Sequence, residues 1–374
     1  MMDNTLPKLR TYLDGIANWS RPTGTRAPKR GAKKLNLALQ GGGAHGAFTW
    51  GVVDQLLAEE RIEITGLSGA SAGAINAVMI ADGLARGGRE EARKRLSEFW
   101  SAAAGTAGHL PPMQRAITER LFPLLPLTAS PLQDWLHSMA RHFSPYDFNP
   151  LNINPLRELI SRFVDFDAVR ASKLALFISA TNVHSGRTRI FPRDKINADV
   201  VMASAALPFL FQAVEIEGVP HWDGGYMSNP PILPFLRATK AADVLVVQIN
   251  PVKREATPKT SAEIVGRLNE ITFNSALIAE LRSLDFINRL IDDGRLPNGA
   301  GETDYRRLNI HRIDLGAQSL KLTAASKLKV DAQFFATLRR AGQRAARKFL
   351  DTHLDSIGER STIDVAAEAG VEWG

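Results

Sequence analysis

The feature that most restricts this chain is a pair of glycine-rich turns, each placed where a short apolar run gives way to a helical pattern. Leu35-Asn-Leu-Ala-Leu39 reads as a buried strand and stops at Gly41-Gly42-Gly43-Ala44-His45-Gly46, after which residues 47–60 read as a helix. A second strand pattern over Ile62–Leu67 runs into Gly69-Ala70-Ser71-Ala72-Gly73, followed by a helical pattern over 74–84. Strand, tight turn and helix repeated in this way predict a layered α/β domain. Further strands are expected at 174–183 and 242–249, and helices at 261–296 and 326–354. In the last helix Phe334, Leu338, Ala341, Ala345 and Phe349 form an apolar stripe, with Arg340, Arg344, Arg347 and Lys348 on the other side.

Two segments depart from this rhythm. Residues 111–150 contain seven prolines and a long uncharged stretch. They read as a helical insertion packed on the core, or as an apolar cap that admits a greasy substrate. Residues 1–34 hold eight basic and two acidic residues, so they carry nearly all of the chain's net charge of +7. With its prolines and glycines, Arg21–Lys34 reads as an extended arm; Leu6, Leu9, Leu13, Ile16 and Trp19 before it are spaced for a short amphipathic helix. The remaining chain is close to neutral, which argues against a nucleic-acid-binding fold and leaves the arm as a candidate tether to anionic membrane. With neither a membrane span nor a signal-peptide pattern, the expected location is cytoplasmic, at most peripheral to the inner face of the membrane. The absence of cysteine excludes disulfides, thiolate metal sites and a cysteine nucleophile.

Three motifs carry chemistry. Gly41–Gly46 satisfies G-x-G-x-x-G, and such a turn can cradle a phosphate, stabilise an oxyanion or simply close a tight connection. Gly69–Gly73 is G-x-S-x-G, the pattern of a nucleophile elbow, with Ser71 at its apex and only glycine or alanine around it. Ser68 has no such frame. A serine hydroxyl needs a base. His311 and His353 would suit the chain order of an α/β-hydrolase triad, but neither lies at a strand end or glycine turn. The alternative base is Asp223 in His221-Trp222-Asp223-Gly224-Gly225, after a strand at 213–216 and a turn at Gly218; the glycines permit a bend that aims the carboxylate inward.

Together, Gly-Gly-Gly-Ala-His-Gly, Gly-Ala-Ser-Ala-Gly and Asp-Gly-Gly resemble the motifs of patatin-like phospholipases in order and spacing. Ala203-Ser-Ala-Ala-Leu-Pro208 resembles a further block of that family. The resemblance covers about residues 35–250. It implies a three-layer α/β/α catalytic domain with a mainly parallel central sheet over 35–250, followed by a helical C-terminal extension, 251–374, packed on it. It also implies a Ser–Asp dyad, with Ser71 as nucleophile and Asp223 as proton acceptor. Backbone N–H groups in Gly41, Gly42, Gly43, Ala44 and Gly46, chiefly around Gly42 and Gly43, would form the oxyanion hole. Gly69, Gly73, Gly224 and Gly225 would shape the two turns. His45 stands where the family often has arginine or lysine, and would make activity pH-dependent near neutrality if it assisted the oxyanion.

The expected activity is hydrolysis of fatty-acyl esters of phospholipids or related lipids through an acyl-enzyme, without metal or cofactor. The same dyad would serve an esterase, a neutral-lipid hydrolase or a polyester hydrolase. Two readings compete from other classes. A dinucleotide-binding oxidoreductase needs an acid closing the second strand, whereas Glu59, Glu60 and Glu63 fall at or before its start. A non-enzymatic protein would use the basic arm to bind anionic membrane. Oligomeric state has no sequence signature here.

Overall fold

The computed structural model describes residues 31–105, 144–299, 305–316, 322 and 325–370. The amphipathic helix expected near the N-terminus, most of the basic arm and nearly all of the apolar-cap segment lie outside the described residues.

Among the described residues an eight-stranded sheet has the order β5-β6-β3-β2-β1-β7-β8, with β4 paired to β3. The strands are β1 (Lys33–Leu39), β2 (Ile62–Gly69), β3 (Ala175–Asn182), β4 (Thr188–Pro192), β5 (Val214–Ile216), β6 (Val219–Asp223), β7 (Asp243–Gln248) and β8 (Asn309–Asp314). β3, β2, β1, β7 and β8 run parallel, while β4, β5 and β6 are antiparallel additions at one side.

Side chains alternate between two cores, as strands covered on both faces require. Leu37, Leu39, Leu245 and Val247 point into the larger core. Helices α1 (Gly46–Ala58), α2 (Ala72–Gly105, kinked at Gly88) and α4 (Ala332–His353) bury residues in that core. Ala38, Val244 and Val246 point into the other, where α3 (Ser261–Asp292) contributes Leu277, Leu281 and Leu284. The architecture is therefore a three-layer α/β/α sandwich with a mostly parallel sheet.

The segment after residue 250, expected to be helical, does more than pack on a finished domain. It places one long helix on each face of the sheet and adds β8 alongside β7. β8 escapes sequence reading because Asn309-Ile-His-Arg-Ile-Asp314 is short and only Ile310 and Ile313 in it are apolar. β6 was masked by Pro220 within the run. It pairs with β5 across Glu217-Gly218, both at positive φ, the backbone signature of a two-residue hairpin turn. The strand at the N-terminal side starts at Lys33, two residues before the expected Leu35, and Lys33 donates through Nζ to the carbonyl of Ile357 at 2.6 Å.

α4 lies across α1 at a contact too close for side chains. A Cβ on Gly342 would fall 2.1 Å from the carbonyl oxygen of Phe48. The expected stripe faces this contact, with Leu338, Ala341 and Phe349 buried. Gly342→Ala should therefore lower unfolding free energy by about 1–3 kcal/mol. Urea denaturation against Arg344→Ala, which changes an exposed position on the same helix, is the check.

Candidate active site

The parallel pairing of β1 with β2 sets Leu39 opposite Gly69, so both glycine turns emerge side by side at the carboxyl ends of neighbouring strands. In open α/β sheets this is where ligand sites form. β6 runs antiparallel to β3, with Asp223 opposite Ala180, two residues beyond the β3 residue that pairs with Gly69. Three motifs distant in sequence thus meet at one end of the sheet.

Ser71 has φ 54°, the left-handed region that a non-glycine residue occupies only when its surroundings over-determine it. What imposes this conformation is close packing at the turn. A Cβ on Gly73 would lie 2.0 Å from the Leu39 carbonyl oxygen. The Ser71 N–H donates to Ser204 Oγ at 2.9 Å, the Gly73 N–H to the Ala70 carbonyl at 2.8 Å, and helix α2 begins directly afterwards. Ser204 belongs to the 203–208 block noted in the sequence, and it holds the serine turn from across the site. Ser68, in contrast, is a fully buried residue within β2.

Asp223 is the last residue of β6 and has no exposed surface. Its N–H donates to the Ala206 carbonyl at 2.9 Å, and its own carbonyl accepts from Thr181 Oγ1 at 2.8 Å. Oδ1 accepts from the Gly225 N–H at 2.7 Å, while Oδ2 has no partner of standard hydrogen-bond geometry. Burial pushes this carboxyl up to about 7; the Ser71 hydroxyl, the Gly225 N–H and Lys327 pull it the other way. The influence of Ser71 marks the two side chains as neighbours, although no well-formed hydrogen bond joins them.

Gly41 donates its N–H to Asn229 Oδ1 at 2.7 Å and is thereby a fixed point of the turn rather than a free donor. Gly42 and Gly43 line a cavity of about 170 Å³ together with Ser71. Its other walls include Leu207, Phe209, Leu210, Val265, Phe273 and Leu328, so it is mostly apolar. A larger polar hollow of about 310 Å³ sits near the ends of β7 and β8 and contains none of the motif residues.

His45 does not behave as a near-neutral titrating group. It is buried, its Nε2 lies 2.7 Å from Ser326 Oγ, and burial together with Lys327 and Arg254 drives it down to about 3. It is a neutral packing residue. His311 pairs through Nε2 with Asp243 Oδ1 at 2.9 Å, and Asp243 is the first residue of β7, at the sheet end opposite the motifs. Neither His311 nor His353 lines the Ser71 cavity. Glu59 is occupied by Arg61 before β2 begins, far from the position a ribose-binding acid would need. The cavity also contains residues that carried no sequence signal. Val265, Asn269 and Phe273 come from α3, and Lys327 and Leu328 from a short 3-10 turn, Ala325–Leu328.

The buried carboxyl makes a stability test possible. Its proton is held to about 7 in the folded protein but released near 3.8 in the unfolded chain. Stability from this group is therefore full below pH 4, falls as pH rises from 4 to 7, and stays low above that. Asp223→Asn keeps an acceptor for Gly225 and removes the buried charge. It should be more stable than wild type at pH 8, by at most about 4 kcal/mol, with the difference vanishing near pH 4. Thermal unfolding of both proteins across that range checks the sign.

The model of the patatin-like phospholipase family matches residues 37–236. No curated protein sequence matches the chain. Among solved structures, that of VipD from Legionella pneumophila is 16% identical, with a TM-score of 0.41, covering 87% of this chain and 68% of that one. The structure of the heterodimeric ExoU–SpcU complex from the type III secretion system of Pseudomonas aeruginosa is 18% identical. Its TM-score is 0.30, and the match covers 92% of this chain and 75% of that one.

Proposed function

The chain belongs to the patatin-like phospholipase family and is a hydrolase of lipid carboxylic esters, and on that premise we propose that it works through Ser71 and Asp223 by way of an acyl-enzyme. The observation that carries this reading is the convergence of a strained, cavity-lining serine with a wholly buried carboxyl whose Oδ2 has no hydrogen-bond partner.

In the proposed reaction Ser71 Oγ attacks the acyl carbon and its proton passes to Asp223. The negative charge formed on the acyl oxygen is met by the N–H groups of Gly42 and Gly43. As the tetrahedral intermediate collapses, the ester C–O bond breaks and Asp223 returns the proton to the leaving alkoxide. Water then attacks the acyl-enzyme with Asp223 again accepting a proton, and collapse frees the fatty acid and restores Ser71. A carboxylate ionising near 3.8 would be too weak a base for a serine hydroxyl; burial raises its basicity to the operating pH, where general-base catalysis is most effective. The apolar walls suit a fatty-acyl chain. Phe209, which lines the cavity, is 67% exposed and marks its mouth.

Ser71→Ala should abolish turnover of p-nitrophenyl esters and labelling by a fluorophosphonate probe, a loss of roughly 10⁴-fold or more. Undiminished turnover in that variant, or labelling of another serine, would refute the dyad. In wild type, kcat/KM should rise as pH increases through about 7, because Asp223 must be ionised to accept the proton. Comparing chain lengths, then phospholipid with neutral-lipid vesicles, assigns the substrate.

Peripheral membrane contact belongs to the same proposal. Among the described residues no helix is long and apolar enough to cross a membrane. The charge of residues 1–34 supports adsorption to anionic lipid instead. Deleting residues 1–30, which leaves β1 intact, should remove salt-sensitive binding to anionic vesicles while ester turnover in solution stays unchanged. Equal vesicle binding by the shortened chain would overturn the tether.

A further inference from the structure

The cavity holds a cation that the motifs do not supply. Lys327 lies far beyond the family match, yet its backbone presses on the first glycine turn: a Cβ on Gly43 would fall 2.3 Å from the Lys327 carbonyl oxygen. Its side chain turns towards the site. Nζ donates to Asn269 Oδ1 at 2.6 Å and stands 4.9 Å from the centroid of the Phe273 ring, and both partners line the cavity with Ser71. Phe273 in turn packs where a Cβ on Gly225 would be, next to Asp223, so ammonium, ring and carboxyl are contiguous.

The neighbours of this ammonium are unusual for a buried charge. Among the described residues no carboxylate lies within ion-pair distance of it. The nearby Glu270 is occupied by Arg254 at 2.6 Å and Arg267 at 3.2 Å. An amide oxygen and an aromatic face are weak compensation for desolvating a cation, which is costly unless an anion arrives. The one position in the glycine turn that could have carried charge, His45, is buried and tied to Ser326, the residue before Lys327.

We propose that Lys327 is a catalytic residue of this enzyme, whose ammonium stabilises the negative oxygen formed on the acyl group when Ser71 attacks. The C-terminal segment thus completes an electrostatic site that the glycine turn leaves to backbone N–H groups. The proposal rests on the Ser71–Asp223 reading. No covalent bond to Lys327 forms, and its protons stay in place through the cycle. Burial brings it down to about 8, against the pull of Glu270 and Asp223 and with the help of Arg254; neutral His45 and Tyr226 complete its surroundings. The cation is therefore present at neutral pH and is lost above about 8.

The test compares wild type with Lys327→Met and Lys327→Arg on p-nitrophenyl esters, which bear no phosphate, and on a lysophospholipid. Lys327→Met should lower kcat on both substrates by roughly 10²–10³-fold, the usual scale for one oxyanion donor, with KM changed less than about threefold. Lys327→Arg should recover a substantial part of that loss. The descending alkaline limb of kcat/KM near pH 8 should be missing in the Met variant and move to higher pH in the Arg variant. Removing a buried charge should leave the melting temperature of Lys327→Met unchanged or raised, which separates lost catalysis from lost folding. If that variant fails to fold, the displaced limb of Lys327→Arg carries the test. Three results would overturn the proposal: full kcat in Lys327→Met, an effect confined to KM on the lysophospholipid, which would assign Lys327 to a phosphate group, or an unchanged alkaline limb in Lys327→Arg. None of these touches the dyad, whose failure shows separately as turnover by Ser71→Ala.

Discussion

The site depends on how closely the serine turn is packed against β1. Leu39 stands opposite Gly69 across a parallel pair, and only a hydrogen atom fits between the Gly73 backbone and the Leu39 carbonyl. That contact fixes where α2 can start, and Ser71 at the junction takes the left-handed conformation. A backbone of this kind costs on the order of 1–3 kcal/mol, which the sheet and two apolar cores can hold where an isolated turn could not. The candidate site follows from that placement. The glycine turn after β1 comes to lie beside the serine, and the hairpin of β5 and β6 delivers Asp223 to the same end of the sheet.

A second constraint concerns solvent. Asp223 has no exposed surface, and the cavity in front of it is mostly apolar. On the proposed mechanism, the dryness that suits a fatty-acyl chain is the same dryness that raises the carboxyl towards neutrality, so substrate preference and basicity share one physical origin. An esterase with a solvated aspartate would lose the base strength, and one with an open cleft would lose the acyl pocket.

What could be read in the sequence was local. Gly41–Gly46, Gly69–Gly73 and Asp223-Gly-Gly are turns whose residue types follow from short-range sterics, so they announce themselves in a single chain. The strands at β1, β2, β3 and β7 were legible because they are apolar runs bounded by turn residues. β6 and β8 were not, since Pro220 and the polar positions of Asn309–Asp314 hide strands whose existence depends on partners already in the sheet. The ionisation of His45 is hidden from the sequence for a related reason. Its position in the motif suggested a titrating group, but its ionisation is set by burial and by Lys327 and Arg254, which lie far along the chain. Lys327 itself sits among ordinary lysines in the sequence; nothing short of the folded contact with Gly43 distinguishes it.

These long-range arrivals change how the C-terminal segment should be understood. A region that only buttressed a finished catalytic domain would leave the cavity complete without it. Here α3 supplies Asn269 and Phe273, and the turn before α4 supplies Lys327, so part of the cavity wall comes from beyond residue 250. The segment also contributes β8 to the sheet and packs α4 onto α1, the helix that begins at Gly46. Displacement of α4 would therefore be felt at the glycine turn through α1 and at the cavity through Lys327 simultaneously. The shape of the candidate site and the packing of the C-terminal half therefore share the same contacts.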